Sequence, residues 1–189
     1  MDFNEDIRQA RQVLEDGGVI LYPTDTIWGL GCDATNEAAV RKVYEIKRRA
    51  ESKALLVLTD SIAKVQFYVQ DFPEQAWDLI ELSEKPLTII YDKGRNLAPN
   101  LLADDGSIGI RVTRERFSYT LCQRFRKAIV STSANLAGAP SPRCFAEISD
   151  EIRNSVDYTV SFRQDETAPA APSSIIKLGA GGLVSIIRP

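Results

Sequence analysis

With 189 residues, 44% of them hydrophobic, the chain has the size of one domain and can bury about 70% of the surface its unfolded form exposes. Its net charge of −3 weighs against a protein held to nucleic acid over its whole surface, because phosphate contacts demand a basic excess. It contains no histidine, which removes Ser-His-Asp triads, Cys-His pairs, imidazole general bases and most transition-metal sites.

The acidic first residues (Asp2, Glu5, Asp6) do not read as a signal peptide, and no stretch approaches the roughly 18 apolar residues of a membrane span. Residues 4–16 read as a helix with Ile7, Ala10 and Leu14 on one face, ended by Gly17-Gly18. Val19–Tyr22 reads as a buried strand stopped by Pro23. Asn36 can cap a helix to Arg49 with Ala39, Val40, Val43 and Ile46 inward. Ala54–Leu58 reads as a second strand. A helix capped by Asp60 or Ser61 follows, with Ile62, Val65 and Val69, and then one opened by Pro73, with Ala76, Trp77 and Ile80.

Leu87–Tyr91 and Ile108–Val112 read as strands around an irregular polar stretch, residues 93–106. Phe117, Leu121 and Phe125 mark a helix over 114–127, and Ala128–Ser131 a further strand. Pro142 is expected to start a helix through Phe145, Ile148 and Ile152, before a strand at Tyr158–Phe162. Residues 163–173 form a Pro/Ala-rich polar loop. Two apolar runs about Gly179–Gly182 then predict a terminal hairpin. Alternating helices and strands predict a single α/β domain over 1–189, built on a mixed sheet. Cys32, Cys122 and Cys144 lack metal or redox spacing and read as free thiols in a reducing compartment, the cytoplasm.

Four segments look unlike ordinary connections. Residues 22–31 follow a strand and hold two hydroxyls, a carboxylate and two glycines; this is either a strand–helix loop or a ligand-binding edge. Lys47, Arg48, Arg49 and Lys53 form either a solvated basic helix end or a phosphate clamp, in which Lys47 and Arg49 point together if the helix frays. Ser131-Thr-Ser-Ala-Asn135 puts three hydroxyls and an amide directly after an apolar run, as caps and turns or as ligand contacts. In Ser107-Ile-Gly-Ile-Arg111, the strand arginine needs a partner if it faces inward.

Taken in order, these segments resemble the YrdC family of threonylcarbamoyl-AMP synthases. Pro23 to Gly31 meets PT-[DE]-T-x-x-GLG, and Lys47, Arg49 and Lys53 meet K-x-R-x-x-x-K. Gly109 and Arg111 meet the G-x-R strand, Ser131 to Gly138 meets S-x-S-A-N-x-x-G, Pro172-Ser173-Ser174 meets P-S-[ST], and Arg188 is the terminal arginine. The match runs from residue 19 to 188. Departures from the pattern are Arg48, Ala50, Ala54, Leu58 where many relatives carry histidine, and Lys85 in place of the glycine before Pro86.

The resemblance implies a curved mixed sheet lining a concave cavity, and synthesis of threonylcarbamoyl-adenylate from L-threonine, bicarbonate and ATP with release of pyrophosphate. It implies that Thr26, Arg111, Ser131 and Ser174 hold threonine, and that Arg49, Lys53, Ser107, Ser133, Ser141 and Arg188 hold ATP. It makes Lys47, Arg49, Ser133 and Asn135 the catalytic group. Mg2+ is expected to arrive on ATP, with no permanently bound cofactor and no protein metal site. The product is expected to pass to a tRNA threonylcarbamoyltransferase complex for t6A modification, with no membrane partner. The alternative readings are an RNA-binding module of the same fold, with weak RNA binding, and a related enzyme forming a carbamoyl-adenylate.

Overall fold

The computed structural model describes residues 2–50, 55–179 and 181–189. Helix α1 (Phe3–Glu15) buries Ile7, Ala10 and Leu14, the i, i+3, i+7 stripe of an amphipathic helix. Gly17, at φ +74°, ends it. On the same helix the fully buried Asp6 is satisfied from outside. Its carboxylate accepts from Tyr158 Oη (2.6 Å), Ser161 N (3.0 Å) and Phe162 N (2.9 Å), and so ties α1 to the chain near residue 160.

Strand β1 (Ile20–Tyr22) follows. Residues 22–31, read above as a strand–helix loop or a ligand-binding edge, run instead into a second strand, β2 (Gly29–Gly31), antiparallel to β1. Gly-Leu-Gly lacks the β-branched and aromatic residues that mark strands, so the sequence alone hides it. The glycine is nevertheless required. A Cβ on Gly31 would stand 2.6 Å from Tyr22 Cε1 and 2.9 Å from Val130 O.

Asn36 caps helix α2 (Glu37–Lys47), with its side chain accepting from Ala39 N; the helix stops two residues before the expected Arg49 because Arg48 turns left-handed at φ 50°. Ile46 is only half-buried, and Tyr44 and Lys47 extend the inward stripe instead. Strand β3 is Leu56–Thr59, and the expected first residue Ala54 lies outside the described residues. Ser61 caps α3 (Ile62–Tyr68). Helix α4 (Gln75–Leu82) begins after Pro73 and leaves Trp77 39% exposed.

Strands β4 (Leu87–Tyr91) and β5 (Ile108–Val112) have the predicted bounds. Glu115 caps α5 (Arg116–Phe125) by accepting from Phe117 N and Ser118 N. Strand β6 (Ile129–Ser133) begins one residue later and ends two residues later than expected. The helix expected from Pro142 is instead a 3-10 turn (Phe145–Glu147) and a separate short helix α6 (Asp150–Asn154), because Ser149 caps a new start at Ile152 N. Strand β7 is only Tyr158–Thr159, while β8 (Ser174–Leu178) and β9 (Val184–Arg188) form the expected terminal hairpin.

Among the described residues, nine strands form one mixed sheet, in the order β7-β1-β2-β6-β3-β5-β4-β8-β9. The register fixes what each face carries, since residues opposite one another in neighbouring strands share a face. One set of rows, Val130–Val57–Ile110–Ile89–Ile176, belongs to the buried core. The opposite face carries Ser131–Leu56–Gly109–Ile90 and, one row on, Leu58–Arg111–Thr88–Ile175. That second face is the floor of the site.

Candidate active site

A cavity of about 490 Å³ opens over that floor, in the range of small-molecule sites. Gly109 makes room at its centre. A Cβ there would sit in ordinary contact, 3.4 Å from Leu56 Cβ and Thr88 Cγ2, so any longer side chain must project into the space above. Leu55, Leu56, Ile90 and Ile175 give the floor its apolar part.

The most constrained polar group is Arg111, only 3% exposed. A buried guanidinium must be paired, and Nε lies 3.0 Å from Asp25 Oδ1. Nη2 donates to Thr26 Oγ1 (3.2 Å) and Nη1 to Thr88 Oγ1 (3.4 Å). Burial pushes the Asp25 carboxyl above its ordinary range, and Arg111 pulls it back. Thr24 shapes the turn that presents these groups: its Oγ1 accepts from Thr26 N (3.0 Å) and donates to Ile27 O (2.8 Å). Arg163 holds the turn from behind through Thr24 O (3.1 Å) and pairs with Glu115 (3.3 Å).

Across the floor, Thr88 Oγ1 and Ser173 Oγ share a hydrogen bond of 2.8 Å. Arg188 Nε donates to Ser173 O at 2.8 Å, which brings the last strand to the cavity rim. Arg49 reaches the wall because the left-handed Arg48 redirects the chain after α2. Ser107 is oriented by Asp105, which accepts from its N–H at 2.9 Å; the hydrogen bonds from Ser107 lower the Asp105 pKa to about 2.

Eight of the residues singled out from sequence therefore line one cavity: Thr26, Arg49, Ser107, Arg111, Ser131, Ser133, Ser141 and Arg188. Lys47 and Asn135 do not line it. Lys47 is 2% exposed and donates through Nζ to Ser133 O (2.5 Å) and Asn135 O (2.7 Å). Burial, with Arg49 nearby, lowers its pKa to about 8. The Asn135 amide donates to Leu136 O and Ala139 O, within its own turn. Ser174 opens β8, and its neighbour Ser173 supplies the wall. Lys53 lies outside the described residues.

Sequence reasoning gave no individual role to Thr88, Ser173, Asp25 or Trp28, although Asp25, Trp28 and Ser173 fall within segments it singled out. Thr88 had a signal, a hydroxyl in an apolar strand that costs free energy unless paired. Trp28 lines the wall and packs on Phe145, with ring centroids 4.8 Å apart; nothing local to the sequence reveals that contact. Among the described residues the lining holds three arginines, a series of hydroxyls and no carboxylate, on a chain of net charge −3. Such a wall suits a ligand with several anionic groups.

Fold and wall together define an α/β protein with a cavity suited to an anionic ligand on the face of a mixed sheet. The chain belongs to the Sua5/YciO/YrdC family, whose model, described as "Telomere recombination", matches residues 12–189. It is 32% identical over 163 residues to the threonylcarbamoyl-AMP synthase of Idiomarina loihiensis, covering 84% of this chain and 86% of that protein. It is 28% identical over 186 residues to that of Acinetobacter baylyi, covering 94% and 95%. Among solved structures, Sua5 of P. abyssi complexed with L-threonine superposes on all of this chain with TM-score 0.85 at 22% identity. This chain spans 55% of that protein, a little over half its length. YciO of E. coli gives TM-score 0.84 at 23% identity, covering 99% of this chain and 89% of that one. These two likenesses concern the fold.

Proposed function

We propose that the protein is an L-threonylcarbamoyladenylate synthase, a nucleotidyltransferase that makes threonylcarbamoyl-AMP and pyrophosphate from L-threonine, bicarbonate and ATP. The observation that carries the reading is the wall of Arg49, Arg111 and Arg188 with its hydroxyls in a cavity free of acid side chains among the described residues. The substrates bring a carboxylate, a carbonate and a triphosphate, so charge neutralisation and alignment are the main catalytic needs.

In this reading the threonine carboxylate meets Arg111, held by Asp25, with Thr26 and Ser131 beside it. Ser173 contributes the hydroxyl that the family pattern assigned to Ser174. Arg49, Ser107, Ser133, Ser141 and Arg188 take the nucleotide, with Lys53 assigned there by the pattern. The threonine amine attacks the carbon of bicarbonate to give a carbamate and water. A carbamate oxygen then attacks the α-phosphorus, the bond to the β-phosphate oxygen breaks, and pyrophosphate leaves. Mg2+ travels with ATP as part of the substrate. Among the described residues no helix is long and apolar enough to cross a membrane. The adenylate is an activated carbamoyl donor, and we assign it a cytoplasmic tRNA threonylcarbamoyltransferase as its consumer.

The test is pyrophosphate release from MgATP, with mass analysis of the adenylate. Release is expected only when L-threonine and bicarbonate are both present. Equal release with either one omitted would sink the assignment. Serine is expected to react more slowly, since a missing methyl contact is worth about 1–3 kcal/mol.

A further inference from the structure

Lys47 is the last residue of α2 and lies on its buried stripe, with Val40, Val43 and Tyr44. The residues at i, i+3, i+4 and i+7 share one helix face, so its side chain is directed with the core residues. Arg48 then enters the left-handed region and Arg49 emerges on the cavity wall. The two cations of the Lys-x-Arg pair therefore diverge.

The Lys47 ammonium ends against the outer side of that wall. Nζ donates to Ser133 O and Asn135 O, and the Lys47 carbonyl accepts from Ala137 N at 2.8 Å. Helix end and side chain thus hold the same short segment at three points. The segment is a turn in which Asn135 N also donates to Ser133 O (2.9 Å) and Ala139 N to Leu136 O (3.1 Å). Ser133, whose carbonyl receives the ammonium, is the residue whose side chain lines the cavity. A buried ammonium with two carbonyl acceptors is a strong local constraint, because losing it leaves polar groups unpaired.

We propose that Lys47 is a positioning residue, a strut that fixes the Ser133–Asn135 backbone and through it the Ser133 hydroxyl, and that it acts without touching the nucleotide. The consequence for catalysis rests on the function proposed above; the strut itself does not.

Two variants separate the possibilities. Lys47→Met keeps the stem and removes the donor, whereas Lys47→Gln restores a neutral N–H donor. Hydrogen exchange of the ligand-free protein is the first measurement. Amides of residues 135–139 are expected to exchange at least about tenfold faster in Lys47→Met, and less so in Lys47→Gln. Pyrophosphate release is the second. Lys47→Met is expected to slow kcat at least about tenfold, with Lys47→Gln recovering part of the loss.

Combining Lys47→Met with Ser133→Ala is expected to be no slower than the slower single variant within about twofold, as for residues acting as one unit. Unchanged exchange over 135–139 overturns the strut. So do losses that multiply in the double variant, or a Lys47→Gln enzyme no better than Lys47→Met, because each points to the charge acting directly on ligand. If Lys47→Met does not fold, Lys47→Gln against the parent protein supplies the exchange and cycle comparisons. A parent protein without threonine-dependent pyrophosphate release defeats the proposed function, and the exchange measurement then still decides the strut.

Discussion

At the scale of single residues, adjacent arginines have opposite surroundings. Arg48 caps α2 in the left-handed region and reaches Glu151 at 2.5 Å through an exposed ion pair. Such pairs contribute about 0–1 kcal/mol. Arg49 lines the cavity. Replacing each with alanine should separate a surface cation from a ligand-facing one. Arg49→Ala is expected to raise the KM for MgATP or lower kcat/KM by about 30- to 150-fold, the range for losing a charge-assisted contact worth about 2–3 kcal/mol. Arg48→Ala should stay within about twofold of the parent. Comparable losses in the two variants would mean that the cluster acts as a diffuse basic surface. The sequence showed four cations in seven residues but not the turn at Arg48 that sorts them, because an arginine at positive φ carries no local signal as glycine would.

Elements were legible where one physical signal dominated. The apolar runs at 87–91 and 108–112 gave their strands without error, and the 3.6-residue period gave α1, α2 and α5. Two elements were not legible. Strand β2 is Gly-Leu-Gly, in which Gly31 serves close packing against Tyr22 and Val130 and Gly29 lies against Thr132 O, requirements set largely by the β6 strand about a hundred residues on. The helix expected from Pro142 divides at Ser149, whose capping hydrogen bond competes with helix continuation. For the site, the loops were legible as segments, but the side of the wall each residue takes depends on register, which put Ser173 on the wall beside Ser174 and Lys47 behind it.

The Pro/Ala-rich segment at 163–173 is the element with an expected change of state. Arg163 holds one end through Thr24 O and Glu115, Ala170 N donates to Arg143 O (3.1 Å), and Ser173 is buried at the other end. Residues 165–169 between these anchors are exposed. Glu166 is tied back to Arg163 through its N–H (3.3 Å) and its carboxylate (2.7 Å), so opening should be confined to residues 167–169. Their non-proline amides are expected to exchange quickly in the free protein and to slow when MgATP and threonine are both bound, since closing over ligand excludes water from an adenylate prone to hydrolysis. High protection without ligand, or no change with both, would show a static surface loop.

At the scale of the molecule, the cavity joins residues from Thr26 to Arg188, and its floor is shared by strands from both halves of the chain. A ligand spanning this wall must stabilise the whole fold by mass action, by about 2.7 kcal/mol at a hundred times Kd. For a chain of this size that is a rise in Tm of roughly 5–10 °C. Arg188 is the informative residue. It stands on the exposed edge strand β9, so its loss removes few core contacts, yet it reaches the rim through Ser173. Arg188→Ala should therefore leave the ligand-free Tm within a few degrees of the parent, since one hydrogen bond contributes about 1 kcal/mol. If it weakens MgATP tenfold, about 1.4 kcal/mol, the ligand-induced rise should fall to roughly half at the same MgATP concentration. Thermal melts with and without MgATP measure both quantities on one protein. A full ligand shift in Arg188→Ala would remove the terminal strand from the nucleotide site and confine that site to the walls carrying Arg49, Ser107, Ser133 and Ser141.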